Sequence, residues 1–138
     1  MKRSPATVLP VLTHLCALCA LGACLLLPLG ARAGTPADPA MAMDGVLVDA
    51  GHMTLYTFDQ DQPGSGKSGC NGPCAANWPP LLAPAGASAQ GDWTLVMRED
   101  GTAQWAYRGR PLYRWAKDQK PGDRTGDGFN KVWQLAKP

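Results

Sequence analysis

The 138-residue chain predicts an all-β protein, a small antiparallel domain of hairpins and a meander built from two internal repeats. At most one short helical turn is expected, near Pro73–Trp78. Three observations lead there. Gly and Pro recur too often for long helices, short aromatic-rich runs are bounded by Asp-Gly and Gly-x pairs, and one stretch of sequence occurs twice.

Residues 1–33 read as a secretory signal. Met1-Lys2-Arg3 is basic, Val8 to Leu29 is apolar apart from Thr13, His14 and the cysteines, and Ala31-Arg32-Ala33 has the small-x-small form of a cleavage site. Cleavage after Ala33 is expected. Leu21-Gly22-Ala23-Cys24 offers a competing route, lipidation at Cys24. Against it, Leu25-Leu26-Leu27-Pro28-Leu29 follows where a lipoprotein normally carries a polar tether.

Cleavage leaves 105 residues with ten basic and eleven acidic side chains, so the precursor's formal charge of +2 becomes −1. The excess positive charge belongs to the signal, and nucleic acid is not expected as a partner. Membrane contact is expected only through a lipid anchor. Cys16, Cys19 and Cys24 leave with the signal. Five cysteines become one pair, Cys70 and Cys74, with His52 the one remaining histidine. Leu, Val and Phe together supply only 13 of the 105 residues, and Ile is absent. Ten aromatic side chains, all beyond the signal, make up the core instead, each able to bury about 150–250 Å².

Residues 34–44 read as a flexible tether, and 45–138 as one β domain with repeats over about 45–84 and 93–138. Strands are expected at Gly45–Asp49 and Met53–Asp59 around an Ala50-Gly51 hairpin. Others are expected at Trp93–Glu99 and Thr102–Arg108 around Asp100-Gly101, a type I′ signal. Gly109-Arg110 then turns the chain into Leu112–Trp115, completing a three-stranded meander. With two-residue turns, Trp93, Leu95, Met97, Tyr113 and Trp115 share the buried face. Thr94, Val96, Trp105, Tyr107 and Arg114 take the other.

The repeat is the most informative feature. Gly51 to Gly64 and Gly109 to Gly122 each contain Gly, then Leu-Tyr-x-aromatic, then x-x-Asp-Gln, then Pro-Gly. Leu55/Leu112, Tyr56/Tyr113, Phe58/Trp115 and Asp61/Asp118 correspond at a spacing of 57, and Trp78 and Trp133 close the two copies. Tyr and the aromatic two residues on share one face of a strand. Each Asp, at the strand exit, is expected to accept N–H bonds from its Pro-Gly turn. The functional alternative makes the Tyr/Asp pairs a ligand site between the repeats.

On these residues the sequence resembles the bacterial "secreted repeat" predicted lipoproteins, defined by a tandem Tyr-x-(Phe/Trp/Tyr)-x-x-Asp motif. The matches are Tyr56-Thr-Phe58-Asp-Gln-Asp61 and Tyr113-Arg-Trp115-Ala-Lys-Asp118, with Gly72-Pro-Cys74-Ala-Ala-Asn-Trp78-Pro-Pro-Leu81 between them. The resemblance implies an exported protein, often lipid-anchored, and attaches no biochemical activity.

Cys70 and Cys74, four apart in an exported chain, are expected to form a disulfide. The spacing also resembles the copper site of Sco-type assembly proteins. Cys70, Cys74 and His52, with Met53, Met41, Met43 and Met97 near, are therefore the candidate copper ligands of an alternative redox role. Asp118, Asp123 and Asp127 among glycines are read as turn formers rather than calcium ligands. No Ser-His-Asp set is recognisable. The sequence therefore points to a periplasmic or secreted, non-catalytic β-module that needs no cofactor and binds an unidentified protein or small molecule. A copper or thiol-redox accessory and a structural envelope protein are the alternatives.

Overall fold

The computed structural model describes residues 37–138. Cleavage after Ala33 and lipidation at Cys24 lie outside the described residues. Seven short strands form three small antiparallel sheets. β1 (Met41–Met43) pairs with β2 (Val46–Val48), β3 (Tyr56–Phe58) pairs with β7 (Trp133–Leu135), and β4 (Trp93–Met97), β5 (Ala103–Tyr107) and β6 (Arg110–Pro111) form the third. One helical turn, α1 (Pro73–Asn77), sits where Pro73 occupies the first turn and Pro79-Pro80 follows. A 3-10 turn spans Phe129–Lys131.

The turns correct the expected registers. Asp44 and Gly45 have φ of 50° and 76° and join β1 to β2, so a type I′ turn straddles the end of the segment read as a tether, and β1 lies within that segment. There Ala40 is already buried. The β4–β5 connection has three residues, not two. Arg98 N bonds to Thr102 O at 2.9 Å, Gly101 N bonds to Arg98 O at 3.0 Å, and Gly101 is left-handed at φ 80°. This is a type I turn with a glycine bulge. It moves the register by one, pairing Trp93 with Tyr107 and Leu95 with Trp105. Trp105 and Tyr107 therefore lie with Trp93 and Leu95, while Met97 is 64% exposed and Val96 is buried. Asp49 to Met53 makes the same three-residue turn, with His52 at φ 61° in the glycine's place. Arg108-Gly109, both at positive φ, makes the next turn one residue earlier than expected.

Leu112–Trp115 is not the third strand of the meander. β6 ends at Pro111, and the following residues cross to the first repeat, where Tyr56 and Tyr113 exchange backbone bonds of 2.8 and 3.0 Å. Adjacent residues of a strand face opposite ways, so each Leu-Tyr pair feeds two layers. Leu55 and Leu112 join Leu47, Leu81, Trp93 and Trp105 in one core cluster. Tyr56 and Tyr113 join Phe58, Trp78, Trp115 and Trp133 in the other.

The repeats are interlocked. β3 of the first repeat pairs with β7, the closing strand of the second. Reciprocally, Arg114 N bonds to Pro79 O at 2.8 Å and Ala116 N to Asn77 O at 2.9 Å, joining the second repeat's strand to the first repeat's closing segment. The hairpins follow the same rule. Leu47 N bonds to Ala136 O at 2.9 Å, and Trp105 N to Leu81 O at 2.8 Å. A pseudo-twofold axis thus passes between Tyr56 and Tyr113, and the strands of each copy bond to the closing segment of the other.

Candidate functional site

The six motif residues meet at this axis. Tyr56 Oη donates to Asp118 Oδ2 at 2.6 Å, and Tyr113 Oη donates to Asp61 Oδ2 at 2.5 Å. The tyrosine of each repeat is thus paired with the aspartate of the other. All four side chains are buried, and both hydroxyls are wholly enclosed. Burial and the facing carboxylate push both phenols well above their usual range near 10. Burial also raises Asp61. The Tyr113 hydroxyl, the Gly69 N–H and the Arg98 guanidinium oppose that rise.

The aspartates do accept backbone bonds, but not from the Pro-Gly turns expected. Asp61 Oδ1 accepts from Gly69 N at 2.6 Å; Asp118 Oδ1 accepts from Thr125 N at 3.0 Å and from the Thr125 hydroxyl at 2.6 Å. Each carboxylate reaches past its Pro-Gly turn to the far side of the loop, so it fixes the whole loop rather than one turn. Asp123 does cap its own turn, accepting from Gln119 N and Lys120 N.

Around the pairs the rings form a column. Trp115, Trp78, Trp133 and Phe58 stack in that order, with centroids 4.0, 3.8 and 4.4 Å apart. Tyr56 meets Trp78 edge-on at 5.4 Å, and Tyr113 meets Trp133 edge-on at 5.1 Å. Each contact has its mate across the axis. Offset stacking and edge-to-face contacts suit the ring quadrupole, each adding about 0.5–1.5 kcal/mol beyond buried area. Gly126 is required here, because a Cβ would lie 2.7 Å from the Trp78 ring.

Cys70 and Cys74 are joined by a disulfide across the start of α1, with Cα atoms 5.2 Å apart. The structure does not bring His52 to them. His52 stands exposed at the β2–β3 turn beside Met43 and Arg124, whereas Cys74 borders a groove with Trp78 and Trp115. Among the described residues no three His, Cys, Asp or Glu side chains are grouped to hold a metal ion. The proposed copper set of His52, Cys70 and Cys74 is therefore not assembled, since oxidised sulfurs supply no thiolate and the imidazole lies elsewhere.

One central residue escaped the sequence reading. Arg98 is 7% exposed. Its Nη1 donates to Gln104 Oε1 at 2.7 Å and Ser68 Oγ at 3.0 Å, and its Nη2 donates to Cys70 O at 2.7 Å and Asn71 Oδ1 at 3.0 Å. Ser68 Oγ lies 2.7 Å from Tyr113 Oη. Tyr113 spends its proton on Asp61, so Ser68 is the donor to Tyr113. A continuous chain runs from Arg98 through Ser68 and Tyr113 to Asp61, tying a buried cation to a buried anion. Alternation along the strand puts Arg98 on the Val96 face, and the bulge at Gly101 is the signal that could have found its partner, because the corrected register sets Gln104 opposite Val96.

The fold and site define a doubled, interlocked β-domain fastened by exchanged Tyr–Asp pairs, with a disulfide that fits residence outside the cytoplasm. The family described as a secreted repeat of unknown function, Lipoprotein_15, matches this chain twice, over residues 40–82 and 94–137. The chain belongs to that family. No curated protein and no solved structure matches it.

Proposed function

We propose that the chain is an exported, non-catalytic binding module whose ligand or partner meets the aromatic groove between the repeats. The observation that carries this reading is a groove of about 470 Å³ floored by the otherwise buried Trp78, Trp115 and Trp133 and bordered by Lys117, Asn77 and Asn130. Phe129 at its rim is 38% exposed. Apolar walls with a few polar groups are what small-molecule sites offer. The backbone there is held in an unfavourable form, with Asn130 and Lys131 at φ of 50° and 61°. The Tyr–Asp groups support the non-catalytic part of the reading. Every one of their carboxylate oxygens already has a donor, so they serve each other rather than a substrate.

Nuclear magnetic resonance against a panel of small aromatic and saccharide probes tests the groove. Binders are expected to shift the Trp115 indole and the Phe129 ring, and Phe129→Ala to abolish the shifts while the domain stays folded. Binding that survives Phe129→Ala, or no shift in the groove from any probe, would leave a structural envelope role.

A further inference from the structure

We propose a second, independent site on the opposite layer that takes a free single-chain anionic amphiphile, an acyl carboxylate, head at a cationic cleft and tail along an apolar one. The two clefts, of about 280 and 490 Å³, are contiguous and share Leu47 and Tyr107 as walls. The first is lined by Arg108, Arg110 and Lys137 over Leu112, Leu135 and Ala136, and no acidic side chain lines it, the last residue of the sequence, Pro138, standing on the wall common to both clefts. Arg108 is engaged with Asp92 at 3.0 Å and lies over the Tyr107 ring. Among the described residues, Arg110 and Lys137 have no carboxylate partner and are exposed. The second cleft runs along Met41, Ala40, Ala42 and Trp93, with Asp38 its one acidic neighbour. Met41 is 47% exposed, an uncovered apolar side chain at the tail end.

The pseudo-twofold shows why the site exists on one side. The hydrogen bonds make Leu47 the mate of Trp105, since both bind the closing segment of the other repeat and both accept from the following Leu N–H. By the same count Asp49 is the mate of Tyr107, and Thr57 of Arg114. On one side Arg114 Nε meets Asp49 Oδ2 at 2.5 Å, and Trp105 stands where the other has Leu47. On the other, Leu and Thr replace Trp and Arg, and Tyr107 replaces the aspartate. The smaller Leu47 and Thr57 open the space, and with Tyr107 in the aspartate's place Arg110 and Lys137 have no carboxylate side chain in ion-pair reach. A head cleft of about 280 Å³ that is cationic, continued by an apolar one of about 490 Å³, fits a carboxylate on a short hydrocarbon chain.

The test is calorimetry of the exported chain with decanoate below its aggregation concentration. Saturable one-to-one binding is expected, weakened at least tenfold by Arg110→Glu combined with Lys137→Glu, both exposed positions that leave folding intact. Decanol should bind at least tenfold more weakly than decanoate. Leu47→Trp, which installs the second repeat's residue, should also abolish binding. Should that variant fail to fold, the charge reversal decides alone. Resonance shifts are expected at Tyr107 and Trp93 and not at Trp115 or Phe129, which keeps this site distinct from the aromatic groove. Affinity unchanged by charge reversal, equal binding of decanol, or binding to anionic vesicles but not to monomeric decanoate would each overturn the proposal.

Discussion

The tyrosine hydroxyls at the axis hold their protons far more firmly in the folded chain than in the unfolded one. The folded state binds more protons above pH ~10, so stability must fall as pH rises through that value. Denaturant titrations at increasing alkalinity should show a loss approaching two protons' worth of slope, with tyrosinate absorbance from Tyr56 and Tyr113 appearing together with unfolding. Asp61 behaves unlike most buried carboxylates. Its folded value is raised, so its contribution is present below the ordinary aspartate range and is lost as pH rises through the raised value. Asp61→Asn should remove that dependence. Tyr113→Phe removes a charge-assisted bond and interrupts the relay to Arg98, and a loss of about 1.5–3 kcal/mol in urea unfolding is expected. His52→Gly should stabilise by about 1 kcal/mol, because the side chain sits at a left-handed position and makes no copper site. These residues differ in how far the sequence disclosed them. Tyr56, Asp61, Tyr113 and Asp118 stood out through their repeated spacing. That spacing says nothing of which copy's aspartate meets which tyrosine, since local periodicity is the same for either pairing. Arg98 was illegible for a plainer reason. A lone arginine before an Asp-Gly turn reads as solvated until the three-residue turn is known.

At the level of elements, the segment from Ser68 to Trp78 is held by three devices: the disulfide, the Arg98 bonds to Cys70 and Asn71, and the rings against Trp78. The disulfide closes a very short ring, and the chain-entropy estimate for it is about 2 kcal/mol. Replacing both cysteines by Ala should cost about that and leave the near-ultraviolet tryptophan signal intact, because the column rests on packing. Arg98→Met should cost more, about 3 kcal/mol, since it strands buried acceptors on two segments, Ser68 to Asn71 and β5. Four of the five expected strands and the helical turn exist near their expected places, Leu112–Trp115 being the exception. What failed was register, at Asp100-Gly101, which sits in a three-residue turn, and at Gly109-Arg110, where the chain turns one residue earlier. One bulge residue exchanges the faces of a strand, and composition alone cannot distinguish it from a type I′ turn. Gly109 marks a second such constraint. A Cβ there would lie 2.8 Å from the Gly64 backbone nitrogen at a φ of 79°, so Gly109→Ala should destabilise by about 1–3 kcal/mol.

For the molecule as a whole, interlocking means that the central β3–β7 sheet belongs to both repeats and that each repeat's hairpin bonds to the other's closing segment. Thermal unfolding should be one transition with no half-folded species, as judged by agreement of calorimetric and van't Hoff enthalpies. Cleavage in the connection at 84–89 should leave a single native-like particle, because the fragments bury their strands in each other. Separation into two folded halves would show that the exchange is dispensable. Pairing across the whole chain also predicts slow folding for its size, since long loops must close before any strand gains its partner.

The asymmetry across the axis also carries a history. A lone repeat would expose one unpaired strand and one unpaired closing segment, so a single-copy forerunner could be stable only as a homodimer. In such a pair every substitution appears twice, and an arginine facing an aspartate on one flank must recur on the other. Joining the copies in one chain lifts that obligation. Thereafter Trp105, Arg114 and Asp49 could seal one flank while Leu47, Thr57 and Tyr107 left the other open, a division of labour that no homodimer can encode.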